Sequence, residues 1–155
     1  MEPKTITHLY PVWREKANFV IGAKNLKITP EDSNAWEQLW SRKISDNIFE
    51  ICCIPFFTYD VSLGDEVRTD QEYWIIEVKK RSGHFTFRVW FGNSENPNIR
   101  EEIVSKVNEL NCLFEWYSYN LLAIDSATPD LAKQISGILY EKEQSGQLIF
   151  ETGQR

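Results

Sequence analysis

The chain lacks most of the signatures that would announce chemistry. Its three cysteines, Cys52, Cys53 and Cys112, cannot all pair, and the adjacent two point to opposite faces of a strand. That excludes a disulfide framework and fits reduced, buried thiols in a cytoplasmic protein. No C-x-x-C pair occurs, and His8 and His84 stand far apart without thiol or carboxylate spacing, so neither a metal site nor a cofactor is expected. The seven glycines fall in neither G-x-G-x-x-G nor G-x-x-x-x-G-K order, which removes the usual phosphate cradles. No apolar run reaches membrane-spanning length, and Met1-Glu2-Pro3-Lys4 has no secretory character. Cations are scarce too. A formal charge of -6 and a pI near 5.0 exclude sequence-independent nucleic-acid binding and suit a basic protein partner.

Aromatic residues are what the chain has in plenty. Phe, Trp and Tyr make up 14% of the sequence, with six tryptophans, more than a minimal core needs. Some rings should therefore be exposed, where Trp and Tyr gain much contact area for little lost rotamer entropy. At 155 residues the chain can hold one domain or two small ones. Repeats and long linkers are absent, so a boundary must be a tight joint. Lys79-Lys80-Arg81-Ser82-Gly83-His84 is the best candidate, dividing residues 1–82 from 83–155.

Before the joint the pattern is β. Strands are expected around Phe19-Val20-Ile21 through Leu26 and Ile28, from Ile48 to Ile54, and from Tyr73 to Val78; Pro30 to Ser33 ends an element. Trp36, Leu39 and Trp40 fit a helical turn and an extended segment equally. Pro55 breaks the Phe49 to Phe57 run, and Leu63-Gly64-Asp65 supplies a chain reversal. The expected architecture is a small antiparallel β-roll of SH3-like size.

After the joint Phe85, Phe87, Val89 and Phe91 alternate with Thr86, Arg88 and Trp90. A helix follows Asn96-Pro97-Asn98, with Asn98 and Glu101 spaced as a capping box and Ile99, Ile103, Val107 and Leu110 in one stripe. Leu113 to Ser118 and Leu121 to Asp125 form a hairpin around Tyr119-Asn120. Thr128-Pro129 opens a second helix ending at Gly146, and Leu148 to Phe150 is a last strand. Strand, helix, strand, strand, helix, strand is the ferredoxin-like order, with Phe85 to Phe91 and Leu121 to Asp125 central. The fold class is thus α+β. The sheet face opposite the helices, with Thr86, Arg88, Trp90, Glu115 or Trp116, and Tyr117 or Ser118, is expected to be open for docking.

Several blocks together carry a resemblance. They are Trp13-Arg14-Glu15 with Asn18-Phe19, Glu37-Gln38-Leu39-Trp40, Ile54-Pro55-Phe56-Phe57 followed by Leu63-Gly64-Asp65, Ser82-Gly83 with Phe87-Arg88-Val89, and Glu151-Thr152-Gly153. In these the chain resembles the DUF4265 proteins, a bacterial family of uncharacterised function. The resemblance implies a β-rich half joined to a ferredoxin-like half, and it implies a role as the immunity partner of a toxin.

The residues themselves point to binding rather than catalysis. Asp60, Asp65, Glu66, Asp70 and Glu72 are turn-forming or solvated carboxylates that together offer an acidic patch. With Arg88, Trp90, Glu115, Trp116 and Tyr117 they are the expected partner-binding residues. No catalytic residue is assigned. The expected function is a non-catalytic protein that occludes another protein, steering a cationic toxin domain through charge and anchoring it through exposed rings. Two alternatives stay open. One is a small-molecule pocket between the halves, lined by Trp40, Phe56, Phe57, Trp74 and Trp90. The other is an enzyme in which His84, Ser82 and Arg88 converge. A tight histidine-centred hydrogen-bonded trio deep in a crevice would contradict the binding reading.

Overall fold

The computed structural model describes residues 4–26 and 34–154. Ile28 and the turn expected from Pro30 to Ser33 lie outside the described residues. The elements run β1 (Thr5–Ile6), β2 (Phe19–Leu26), β3 (Ala35–Ser45), β4 (Ile48–Ile51), β5 (Glu66–Thr69), β6 (Ile75–Lys80), β7 (Phe85–Trp90), α1 (Ile99–Glu109), β8 (Leu113–Ser118), β9 (Leu121–Ser126), α2 (Pro129–Gln144) and β10 (Ile149–Thr152). This is a mixed α+β protein made mostly of strands, with two sheets.

The first sheet holds β1 to β6 in the order β1-β3-β4-β5-β6, with β2 on the other side of β3. Trp36, Leu39 and Trp40, equally compatible with a helical turn, belong to the extended β3, which alternates buried and half-buried residues from Ala35 to Arg42. The sheet curls until β2 reaches the start of β6, where Gly22 bridges Trp74 and its N–H donates to the Tyr73 carbonyl at 3.0 Å. Ile21, Leu39, Phe49, Ile51, Cys53 and Val67 fill the interior.

Gly22 is required by that closure. A Cβ on it would stand 2.6 Å from Cζ3 and 2.7 Å from Cε3 of Trp74. Gly22→Ala is expected to lose about 1–3 kcal/mol in thermal or urea unfolding, the range of overpacked sites. Gly83→Ala is the useful contrast: φ is +89° there but nothing lies within 4 Å, so only backbone strain of about 1 kcal/mol applies. Equal losses in the two variants would refute the steric account. The reversal expected at Leu63-Gly64-Asp65 is present, with Gly64 at φ +84°.

The second sheet has the order β10-β7-β9-β8, all neighbours antiparallel, so β7 and β9 are central. Both helices lie on one face. Ile99, Ile103 and Val107 of α1 and Ala132, Ile135 and Leu139 of α2 pack against Phe87, Val89, Leu122 and Ile124. Thr128 caps α2, its Oγ1 accepting the N–H of Leu131 at 3.2 Å. Asn98 does precede α1 but makes no side-chain cap, so the capping box expected with Glu101 does not form; Asn96 Oδ1 instead accepts the Asn98 N–H at 2.9 Å.

The opposite face of this sheet, expected to be open, is covered by the first half of the chain. Ile6, Ile54 and Phe56 bury against Ala123, with Val12, Phe57 and Tyr117 around them. Thr86, Arg88 and Glu115 are consequently buried.

Candidate functional site

The junction between the sheets is built around His8, at the exit of β1. Its Nε2 lies 2.6 Å from Glu37 Oε2 and its Nδ1 lies 2.8 Å from Glu115 Oε1. A cationic imidazole, with a donor on each ring nitrogen, satisfies both carboxylates at once. Burial opposes that charge, while Cys53 and the two glutamates favour it, and the ring is held well above its ordinary value. Burial pushes the Cys53 thiol up, so it remains a neutral neighbour of the ring at neutral pH. Phe56 stacks on the imidazole with ring centroids 4.1 Å apart.

Each glutamate is also saturated by backbone donors. Glu37 accepts from the N–H groups of Phe56 at 2.7 Å, Phe57 at 3.1 Å and Thr58 at 3.0 Å, and from Thr58 Oγ1 at 2.8 Å. Burial would raise its carboxyl, yet the His8 contact and these donors hold it below its ordinary value. Glu115 accepts from Ile54 at 2.7 Å and Val12 at 3.3 Å. Arg88 completes the fastening from β7, donating to the carbonyls of Pro55 at 3.2 Å and Thr58 at 3.0 Å. The Ile54-Pro55-Phe56-Phe57 segment thus lacks a strand partner and is tied instead by three charged side chains.

A histidine-centred trio therefore exists, around a histidine for which the sequence offered no role. It is sealed: the side chains of His8, Glu37 and Glu115 are 0%, 0% and 3% exposed. A reactant cannot touch the ring while the loop is seated.

His84 stands at the joint between β6 and β7, half-buried, with Nδ1 2.8 Å from Asp125 Oδ2 and the Trp13 ring edge-on at 5.9 Å. The Asp125 hydrogen bond outweighs partial burial and raises the imidazole, whereas burial raises Asp125 itself. The catalytic convergence of His84, Ser82 and Arg88 does not form. Ser82 Oγ donates to the Leu63 carbonyl at 2.7 Å and accepts the His84 N–H at 3.2 Å, while Arg88 is committed to the Pro55–Thr58 loop. Asp65 organises the turn, accepting from Ser62 at 2.9 Å and Ser82 at 2.8 Å.

Among the residues expected to meet a partner, Asp65, Arg88 and Glu115 are therefore corrected to buried structural groups. Asp70 is a turn residue whose Oδ1 accepts from Glu72 and Trp74. Tyr117 is half-buried against Phe56 and Phe57. Asp60 and Glu66 are half-buried, while Glu72 is exposed.

Trp90 and Trp116 do reach solvent, at 47% and 37% exposure, and Trp116 has neighbours the sequence did not single out. Tyr119, 74% exposed at the β8–β9 turn, carries the Arg100 guanidinium 3.8 Å from its ring centroid. Arg100 Nε donates to the Tyr119 carbonyl at 2.8 Å, and the guanidinium also binds Asn120 Oδ1. Trp116 packs 5.7 Å from Phe91, whose ring also faces Arg100. Beside it a groove of about 750 Å³ runs between β8 and α1, past Val104, Ser105, Glu101 and Glu109.

A second groove of about 710 Å³ lies where the halves meet, bordered by Lys24, Phe57, Tyr59, Glu77, Arg81 and Glu151. Of the five rings expected to line an interdomain pocket only Phe57 does so. Phe56 is inside the junction, and Trp74 borders a separate cleft of about 400 Å³ with Trp36. No helix among the described residues is long and apolar enough to cross a membrane.

These features define an α+β protein whose polar interior serves to join two sheets. The sequence model described as "Domain of unknown function (DUF4265)" matches residues 37–150, and the chain belongs to that family. A solved structure, described as "Novel crystal structure of a hypothetical protein from Neisseria gonorrhoeae", is similar in fold, with a TM-score of 0.69 at 20% identity over 86% of this chain and 94% of that one. No curated protein matches.

Proposed function

We propose that this chain is a non-catalytic protein-binding protein, an immunity factor acting in the bacterial cytoplasm that neutralises a cationic toxin domain by occlusion. In this reading residues 1–82 are an SH3-like β-roll and residues 83–155 a ferredoxin-like subdomain, and the junction makes them one rigid platform. The observation that carries it is the cluster of exposed Trp116 and Tyr119 with half-buried Arg100 between β8 and α1. Trp, Tyr and Arg are the residues that dominate binding energy at protein interfaces, and Arg100 is already held in place by Tyr119 and Asn120, so little order is lost on docking. The net charge of -6 favours encounter with a basic surface.

Co-expression with the product of the adjacent upstream gene, followed by pull-down and growth rescue, tests the reading. Tyr119→Ala with Arg100→Ala is expected to weaken the complex by about 30-fold or more, the effect of losing an interface anchor. Absence of both complex and rescue removes the support for an immunity role.

The groove at the meeting of the halves supports a second reading, a small-molecule binding module, because its volume falls in the range of ligand pockets. Metabolites that raise the melting temperature of the wild type but not of an Arg81→Ala variant would favour it.

A further inference from the structure

The second sheet ends on β8, whose outer edge pairs with no strand among the described residues. Exposed edges invite pairing with another chain and are usually guarded by lysine, proline or an inward-pointing charge that resists a second strand. Leu113 to Trp116 contains neither lysine nor proline. Its only charge, Glu115, is consumed inside the junction by His8, Ile54 and Val12. Pairing with β9 is regular from Leu113 to Trp116 and breaks between Trp116 and Ser118, which delimits the usable template. The opposite edge differs. Along β10 the Phe150 N–H is taken by Glu143 Oε2 at 2.9 Å, and the strand runs into Gly153, whose carbonyl accepts the Asp60 N–H at 2.7 Å.

We infer that the groove between α1 and β8 receives an extended cationic segment of a protein partner, which adds to β8 as a further strand. This rests on the protein-binding reading and names its mode. Backbone pairing along β8 supplies affinity, and alternate side chains supply selectivity. One set, on the helix side of the sheet, faces the groove, where Trp116 and Val104 form the apolar floor. The same set meets Glu101 and Glu109, exposed carboxylates in no ion pair among the described residues. Eight helical positions separate them, about 12 Å at the rise of an α-helix. Four residues of a strand span about 13 Å, so lysines or arginines at i and i+4 reach both. Arg100 borders the same groove, but its guanidinium is turned toward the β8–β9 turn, held by the Tyr119 carbonyl and Asn120 Oδ1, and forms an ion pair with neither glutamate. A second copy of this chain would bring a like charge of -6 to the same edge, which disfavours self-pairing.

The test uses the full chain, isotope-labelled, and a capped peptide of about seven residues with two lysines four positions apart and a valine midway between them, at about 0.15 M salt. Amide shifts are expected to concentrate on Leu113 to Trp116 and the groove side of α1, with slowed exchange of the β8 amides that face away from β9. Methylating alternate peptide nitrogens is expected to weaken binding at least about tenfold, and Glu101→Gln with Glu109→Gln about threefold to tenfold. Equal binding of methylated and unmethylated peptides, or shifts centred elsewhere, overturns strand addition. A concentration-dependent dimer protecting the same amides without peptide overturns it in favour of self-pairing. Capture of a toxin without protection at β8 defeats the mode and leaves the immunity reading intact; protection at β8 without any captured toxin does the reverse.

Discussion

Glu37→Ala is expected to cost about 3–5 kcal/mol in urea unfolding, the typical penalty for removing one member of a buried charged network. The substitution takes away the acceptor for His8 Nε2, for the N–H groups of Phe56, Phe57 and Thr58, and for the Thr58 hydroxyl. All become donors without partners in an interior that water does not reach. Since a domain of this kind is held by only about 5–15 kcal/mol, the loss is a large share of the whole. The contrast is Glu77→Ala. Glu77 pairs with Arg68 at 3.2 Å and Lys79 at 3.6 Å, but in solvent, where water screens such pairs and their loss costs little. A double-mutant cycle between His8→Phe and Glu37→Ala should return a coupling of at least about 1 kcal/mol. If Glu37→Ala costs no more than Glu77→Ala, the junction is not what holds the sheets together.

The sequence disclosed the second half better than the first, and the reason lies in local signals. Phe85 to Phe91 alternates cleanly because one face meets two helices, and Thr128 opens α2 with a cap whose residues are three apart. β3 misled because Glu37 and Ser41 take the inward positions while Trp36 and Trp40 take the outer ones, which reverses the usual polarity of a half-buried strand. The trio was invisible for a different reason. His8 is separated from Glu37 by 29 residues and from Glu115 by 107, so no spacing rule links them. The available signal was indirect: Glu37, Arg88 and Glu115 each sit inside a strand rich in apolar residues. A charge in such a run is either an error of pattern or a partner sought elsewhere: Arg88 and Glu115 found theirs across the junction, and Glu37 found His8 and the Phe56–Thr58 loop. Docking through the open face failed on the same ground, because the face that carries Arg88 and Glu115 is where the two halves meet.

Stability is expected to peak in mildly acidic solution and to decline toward alkaline pH. His8 has a folded value well above its ordinary 6.5, so its contribution is complete below about pH 6.5 and is lost as pH rises through the folded value. His84 has the same sign, through Asp125. Glu37 has the opposite one: held below its ordinary 4.5, it contributes fully above about pH 4.5 and fails as pH falls through the folded value. Asp125, raised by burial, contributes most below its ordinary 3.8 and loses that as it ionises, which softens the acid limb. Between about pH 4.5 and 6.5 both the His8 cation and the Glu37 anion are in place, and the junction is strongest there. Urea midpoints measured from pH 4 to pH 9 should follow this profile. His84→Gln removes the surface half of the alkaline decline and leaves the part due to His8, which distinguishes the two histidines. In His84→Gln, midpoints that rise up to about pH 6.5 and stay flat above it would mean that His8 is neutral in the folded protein. One carboxyl of the trio would then have to carry the proton instead, and the junction would be held by neutral hydrogen bonds rather than by a buried cation.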